Sequence, residues 1–360
     1  MIKLFKSEGD YVDHPVDVFE DKLRGFGVKN PIATNSCTSA LHMALLLSNV
    51  GPGDEVILPA VTFVATGLAV LYCGAKPVFC DTDLGSGVAS VESIISNITD
   101  KTKAIIVVDW CGYPYNLRAL DGALGDLNAI SIIQDAAQSF GSYRMYGNVL
   151  YNVGNGAIAD FTCFSFQDKK QVSCGDGGAL ACKNKEDYDR ARKMVWYGWG
   201  AATPRNDVGY RVFDIDQVGY KYNMPIPCAI KGLESIKLLD NEIRQRRLVA
   251  ATLWSEVVGL NSIDIVPTTG PHNNLGHAWY IFPVMVERRV EFANHMRARD
   301  IEVSALDQRI DQSSVFGGKR NLPNTNSFNS KFIALPCHSG LLDNNAQRLS
   351  YMIDAIKRWR

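Results

Sequence analysis

Between Glu55 and Cys182 the chain repeats one pattern, a short apolar run followed in several places by a stretch of helical composition. The runs are Glu55–Leu58, Lys76–Cys80, Lys103–Val108, Ala129–Ile133, Ala159–Phe164 and Ala179–Cys182. Each has the length of a strand and is bounded by Gly, Pro, Asp or Asn. Val91–Ile98 and Leu117–Leu127 read as helices between them. The alternation predicts an α/β fold with a mainly parallel sheet covered by helices on both faces. Ahead of it, Thr38 to Asn49 reads as a mostly buried helix, stopped by Gly51-Pro52-Gly53-Asp54.

Beyond the alternation, one long helix is expected from Ala229 to Val258, with Pro225 and Pro227 near its start. After Pro267 the pattern becomes mixed: Trp279–Val286 reads as a strand, Val290–Arg299 as a helix and Asn344–Arg360 as a last helix. This predicts a large domain over 1–240 and a smaller C-terminal α+β domain over 241–360. With 46% hydrophobic residues in 360, the chain can bury a large core. A net charge of -1 gives no electrostatic reason to expect nucleic acid or a membrane surface as partner. Several of the 9 cysteines lie inside apolar runs, and no close CxxC pair occurs, which predicts a reduced, cytoplasmic protein. Met1 to Gly9 lacks an apolar signal core. The six histidines are scattered, without HExxH, so no catalytic metal is expected.

In a parallel α/β sheet, ligands bind beyond the carboxyl ends of the strands. Asp135 follows one apolar run, and Ser165 another, leading to Lys169 and Lys170. Thr62 and Phe63 follow a third, and Thr38 and Ser39 open the first helix. A lysine, a carboxylate, small hydroxyls at a helix start and an aromatic side chain suit pyridoxal 5′-phosphate. Its aldehyde needs an amine, and its ring nitrogen needs a carboxylate to stay protonated. Its phosphate suits a helix N-terminus, and its flat ring an aromatic face.

The segments NSCTSALHMAL (35–45), GPGDEVILPAVTFVAT (51–66), GAKPVFCDTD (74–83), ITDKTKAIIVV (98–108), QDAAQSFG (134–141) and SFQDKKQVSCGDGG (165–178), with GYKYNM (219–224) and LPCHSGL (335–341), occur in this order. In this the chain resembles the DegT/DnrJ/EryC/StrS sugar aminotransferases, of pyridoxal-phosphate fold type I. The resemblance covers nearly the whole chain. It implies that Lys170 carries the cofactor as a Schiff base, being five residues after Ser165 and six before Asp176; Lys169 fits neither count. By the same resemblance Asp135 pairs with the ring nitrogen, Gln138 bonds the ring hydroxyl or shapes the pocket, and Phe63 stacks on the ring. Thr38, Ser39 and Ser165 would bind the phosphate. Lys221 stands where the family often has an Asn that reaches the partner subunit's phosphate, implying a homodimer with shared sites. Arg309 lies where relatives hold a nucleotide-sugar.

The chain departs from the family at Gln167, Asp168 and Pro225-Ile226-Pro227-Cys228, and at its short N-terminus. The activity implied is transfer of an amino group from L-glutamate to a nucleotide-linked keto-deoxysugar, with a 4-keto-6-deoxy sugar favoured, in polysaccharide biosynthesis. Two alternatives stand beside it. A nucleotide-sugar dehydratase or deoxygenase would carry His in place of Lys170. A non-catalytic regulatory protein of the same fold would not need the lysine, aspartate and phosphate set.

Overall fold

The computed structural model describes residues 14–127, 129–199, 206–210, 212, 214–266, 275–306 and 308–359. In chain order its elements are α1 (Pro15–Gly25), β1 (Pro31–Thr34), α2 (Cys37–Leu47), β2 (Glu55–Pro59), α3 (Val64–Tyr72), β3 (Lys76–Cys80), α4 (Val91–Ser96) and β4 (Thr102–Val108). There follow α5 (Leu117–Leu124), β5 (Ser131–Asp135), β6 (Tyr143–Tyr146), β7 (Val149–Asn152), β8 (Phe161–Ser165), β9 (Gly178–Cys182), α6 (Lys185–Met194), α7 (Ile226–Ile236) and α8 (Leu239–Val257). The last are β10 (Asp264–Ile265), β11 (Leu275–Gly276), β12 (Phe282–Met285), α9 (Arg289–Arg297), α10 (Pro323–Lys331), β13 (Phe332–Leu335) and α11 (Asp343–Lys357).

The six apolar runs all become strands of one seven-stranded sheet, ordered β1-β9-β8-β5-β4-β2-β3. From β8 to β3 neighbours run parallel, whereas β9 runs antiparallel to both β8 and β1. Alternation along each strand explains why the runs are apolar without interruption. Ala104 and Ile106 of β4 face one core, with Val56, Leu58 and Ile133, beneath α2 and α3. Ile105 and Val107 face the other, with Ile57 and Ile132, beneath α4 and α5. A strand buried on both sides has no polar face to show.

The antiparallel turn at β9 matters for the site. A parallel step would need a long crossover, but β8 and β9 are joined by a loop over 166–177. Backbone bonds from Phe166 N to Gly177 O (2.8 Å) and from Cys174 N to Phe166 O (2.7 Å) close it. Both candidate lysines ride on this loop, at the carboxyl end of β8.

Two expectations need correction. The long helix over 229–258 is two helices, α7 and α8, parted at Lys237 and Leu238, where the exposed Leu238 has nothing to bury against. The strand expected over 279–286 shortens to β12, because Trp279 takes a left-handed φ of 47°. The small three-stranded antiparallel sheet β10-β12-β13 has its own core with α9 and α11. The expected domain limit at 240/241 falls in the first turn of α8. Leu239 and Ile243 of that helix still pack with the large core, and Val249, Leu253 and Val257 with the small one.

Candidate active site

A cavity of about 530 Å³ opens where the carboxyl ends of β2, β4, β5 and β8 meet the start of α2. Its walls include Thr38, Phe63, Asp135, Gln138, Ser165, Lys169 and Lys170, which are drawn from four separate segments of the chain.

Asp135 ends β5 and is buried. Its carboxylate accepts from Thr66 Oγ1 on α3 (2.8 Å) and from Ala137 N–H (3.1 Å). Thr66 is in turn bonded to Thr62, with 2.7 Å between the hydroxyl oxygens. Burial pushes the Asp135 carboxyl above its ordinary range; Thr66, Ala137 and the charge of Lys170 pull it back. Both hydrogen-bond partners are neutral, and the charge of Lys170 acts on the buried carboxylate across the cavity without bonding to it. A protonated ring nitrogen would supply a cation that bonds to it. Here the residues fit pyridoxal phosphate on a feature that a simple helix cap would not need.

Gln138 is buried, and its Oε1 accepts from Cys111 N–H at 2.8 Å. That bond fixes the amide's orientation and leaves its NH₂ as the group to offer a ring oxygen. Phe63 is 55% exposed although it borders the cavity, so ordinary core packing does not account for it. At the start of α2, Ser36 caps the helix, accepting from Ser39 N–H (3.1 Å). Thr38, Ser36 and Cys37 line the cavity. Ser39 does not line it: its hydroxyl donates to Asn35 Oδ1 (2.6 Å) and lies 3.0 Å from that of Ser36. Ser39 is thus tied into the helix cap, and Ser36 takes its expected place on the wall. Ser165 is buried at the end of β8 and lines the cavity.

The two adjacent lysines differ. Lys170 is half-buried, its Nζ 4.2 Å from the centre of the Tyr280 ring; Lys169 is exposed at the rim. Asp168, the unusual acid beside them, is turned to Lys231 Nζ (2.7 Å) and Ser173 Oγ (2.8 Å), which hold its carboxyl below the usual range. Its charge is therefore answered outside the cavity.

Two further expected site residues lie elsewhere. Lys221 sits over its own Trp196 ring (3.5 Å) and donates to Asn223 Oδ1 (3.0 Å), outside the cavity. Arg309 is 1% exposed and is not available to a nucleotide-sugar. Its Nε and Nη2 grip both oxygens of Asp311 (2.6 and 2.7 Å); Nη2 also bonds Arg320 O (3.2 Å), and Nη1 bonds Asn326 Oδ1. It pins the segment whose Ile310 and Phe316 press on Gly67 of α3, where a Cβ would meet them at 2.8 Å.

Tyr280, Ser304 and Leu306 also line the cavity, from the C-terminal part of the chain. Sequence reasoning missed them because no motif marks them; the left-handed Trp279 that aims Tyr280 follows no composition rule. Among the described residues no cluster of metal-binding side chains occurs, and no helix is long and apolar enough to cross a membrane. All nine cysteines carry free thiols.

A sequence profile of the DegT/DnrJ/EryC1/StrS aminotransferase family matches residues 5–354. The chain is 29% identical over 320 residues to the GDP-perosamine synthase of Escherichia coli O157:H7, covering 87% of this chain and 80% of that one. It is 28% identical over 362 residues to the spore coat polysaccharide biosynthesis protein SpsC of Bacillus subtilis, covering 95% and 88%. Its fold superposes on the crystal structure of AtS13 from Actinomadura melliaura with a TM-score of 0.87 at 27% identity, covering 96% and 91%.

Proposed function

Since the chain belongs to the DegT/DnrJ/EryC1/StrS aminotransferase family and is a pyridoxal-phosphate-dependent sugar aminotransferase, we propose that it moves an amino group from L-glutamate to a nucleotide-linked 4-keto-6-deoxysugar. The observation that carries this reading is the convergence of Lys170, Asp135 and the α2 start on one cavity of about 530 Å³. That volume is in the range of small-molecule sites. The similarity to a GDP-perosamine synthase supports the choice of sugar class.

When bound, pyridoxal phosphate supplies an electron sink for the bond broken at the substrate carbon. The chain's own residues do the rest. Lys170 would hold the cofactor through its amine, at the place where the donor's amine has to enter. The same amine, once free, would take the proton from the donor's carbon and return it. Asp135 holds the proton on the ring nitrogen, and burial makes that pairing tight. Thr38 and Ser165 offer hydroxyls to the phosphate, beside backbone N–H groups at the positive end of α2. Phe63 gives one face of the ring an aromatic wall, and Gln138 a donor at its edge.

Each site is proposed to be completed in a homodimer. Tyr210, Ile215 and Val218 are 72%, 53% and 74% exposed on the approach to Lys221, an apolar stretch that a second copy would cover. Tyr220 and Tyr222 do not add to this, because they stack on one another (4.9 Å) and meet His42 of their own chain edge-on. The test is direct. The holoenzyme with L-glutamate and a nucleotide-linked 4-keto-6-deoxysugar should yield an amino sugar and 2-oxoglutarate in equal amounts by mass spectrometry. An amino sugar formed only from a 3-keto substrate, or only with another donor, would replace the finer reading and leave the family activity standing.

A further inference from the structure

Tyr280 is held where it is by an unusual concentration of backbone constraint. Cys111 and Gly112 both adopt left-handed conformations (φ 62° and 89°), and so does Trp279 (φ 47°). A non-glycine residue persists there only when its surroundings demand it. The two segments are laced together: Tyr280 N–H donates to Cys111 O (3.0 Å), and Ala278 N–H to Gly112 O (3.1 Å). Gly112 admits no side chain, because a Cβ would meet Gln138 O at 2.9 Å, Tyr280 N at 3.0 Å and Trp279 N at 3.1 Å.

Behind the turn, the buried Asp109 accepts from Tyr115 N–H (2.9 Å), Gln134 Nε2 (3.0 Å) and Ser139 Oγ (2.5 Å). Cys111 N–H, on the same turn, also orients Gln138. One rigid turn therefore places both an expected cofactor contact and Tyr280. What Tyr280 presents to the cavity is the face of its ring, 4.2 Å from Lys170 Nζ.

We propose that Tyr280 is a positioning residue for Lys170: its ring is the perch on which the lysine rests, as an ammonium, between taking the proton and returning it. The role rests on Lys170 being the cofactor lysine. During transfer the neutral amine takes a proton from the substrate carbon, whose bonding electrons stay with the substrate and cofactor. The ammonium so formed is then held until it returns the same proton and becomes an amine again. An aromatic face favours the ammonium over the amine and is not itself a base that could take the proton away. Among the described residues that line the cavity, the other titratable groups are the carboxylates of Asp135 and Asp176, the Lys169 ammonium and the Cys37 thiol.

Three variants test this: Tyr280→Phe keeps the ring face, while Tyr280→Leu and Tyr280→Met remove it. The first readout is the apoprotein, with the rate of Lys170 acetylation by acetic anhydride followed against pH by peptide mapping. The second is the pH dependence of a single half-reaction of the holoenzyme with the amino donor. The Phe variant should keep the native midpoint in both. The Leu and Met variants should lower the apoprotein midpoint by about half to one and a half pH units, as loss of a cation–π contact requires. They should also slow the half-reaction. An unchanged midpoint in Leu and Met, or a shift in Phe as large as theirs, overturns the proposal. Borohydride reduction of the native holoenzyme separates the two ideas. An adduct on Lys169 removes Lys170 itself, whereas an adduct on Lys170 with unmoved midpoints removes only the role of Tyr280.

Discussion

Asp135 and Arg309 are both buried charged side chains, both expected at the site, and the chain treats them in opposite ways. Arg309 meets the two oxygens of Asp311 with paired hydrogen bonds and adds bonds to Asn326 and Arg320. Its charge is answered within 309–326, so nothing is left for a ligand. Asp135 is answered by a hydroxyl and an amide, and its anion is left facing a cavity. Burial of a charge alone does not mark function. Burial without a matched counter-charge does, because the fold then carries a desolvation penalty that a bound partner relieves.

The sharpest way to break this contrast is at the lysine between them and the reaction. Lys170→Ala should abolish transamination with the fold intact by circular dichroism, whereas Lys169→Ala keeps substantial activity. Comparable losses in both variants would mean that the half-buried and the rim positions are not distinguished by function. Next in size, Asp135→Asn should lower turnover roughly 10²–10⁴-fold, the scale of losing control of a proton. Some cofactor should still bind through the α2 start. The apoprotein should melt no lower than the native one, since the variant removes a buried anion with neutral partners. A large fall in melting temperature with normal turnover would make Asp135 a structural cap.

The mirror image is expected at Arg309. Arg309→Met leaves Asp311 buried and unpaired, and should cost about 3–5 kcal/mol of stability in denaturant unfolding. The affinity of the remaining folded protein for a nucleotide-sugar, measured by calorimetry, should be unchanged. A tenfold loss of affinity without loss of stability would restore Arg309 to the substrate site.

The contrast also explains what could be read from sequence. The large sheet was legible because strands such as β4 are buried on both faces and must be apolar throughout. Lys170, Asp135 and Thr38 were legible because strand ends and a helix start put them at one place whatever the side-chain detail. Arg309 was not, since its pairing with Asp311 depends on a local loop shape that spacing does not encode. Ser39 leaves the cavity wall to Ser36 for a similar reason: either serine can cap a helix start, and only the hydrogen bonds from Ser39 Oγ to Asn35 and from Ser39 N–H to Ser36 decide which one does. Tyr280 depends on three left-handed residues from two distant segments, and no local pattern announces them.

The smallest expected effect lies at Lys221, which is the one proposed site residue whose target is in another subunit. Within its own chain its ammonium already rests on Trp196 and bonds Asn223. To reach the partner's phosphate it must leave the ring, giving up about 0.5–1 kcal/mol at an exposed position. A hydrogen bond between charged groups contributes about 1.5–3 kcal/mol. The net is therefore small, and Lys221→Ala should weaken cofactor retention by only about 1–2 kcal/mol, a five- to thirtyfold change in titration. Sedimentation gives the oligomeric state of the same samples. A fully active monomer would remove the shared site altogether. A dimer that retains the cofactor normally after Lys221→Ala would keep the shared site and leave Lys221 to Trp196, as completely internal in its contacts as Arg309.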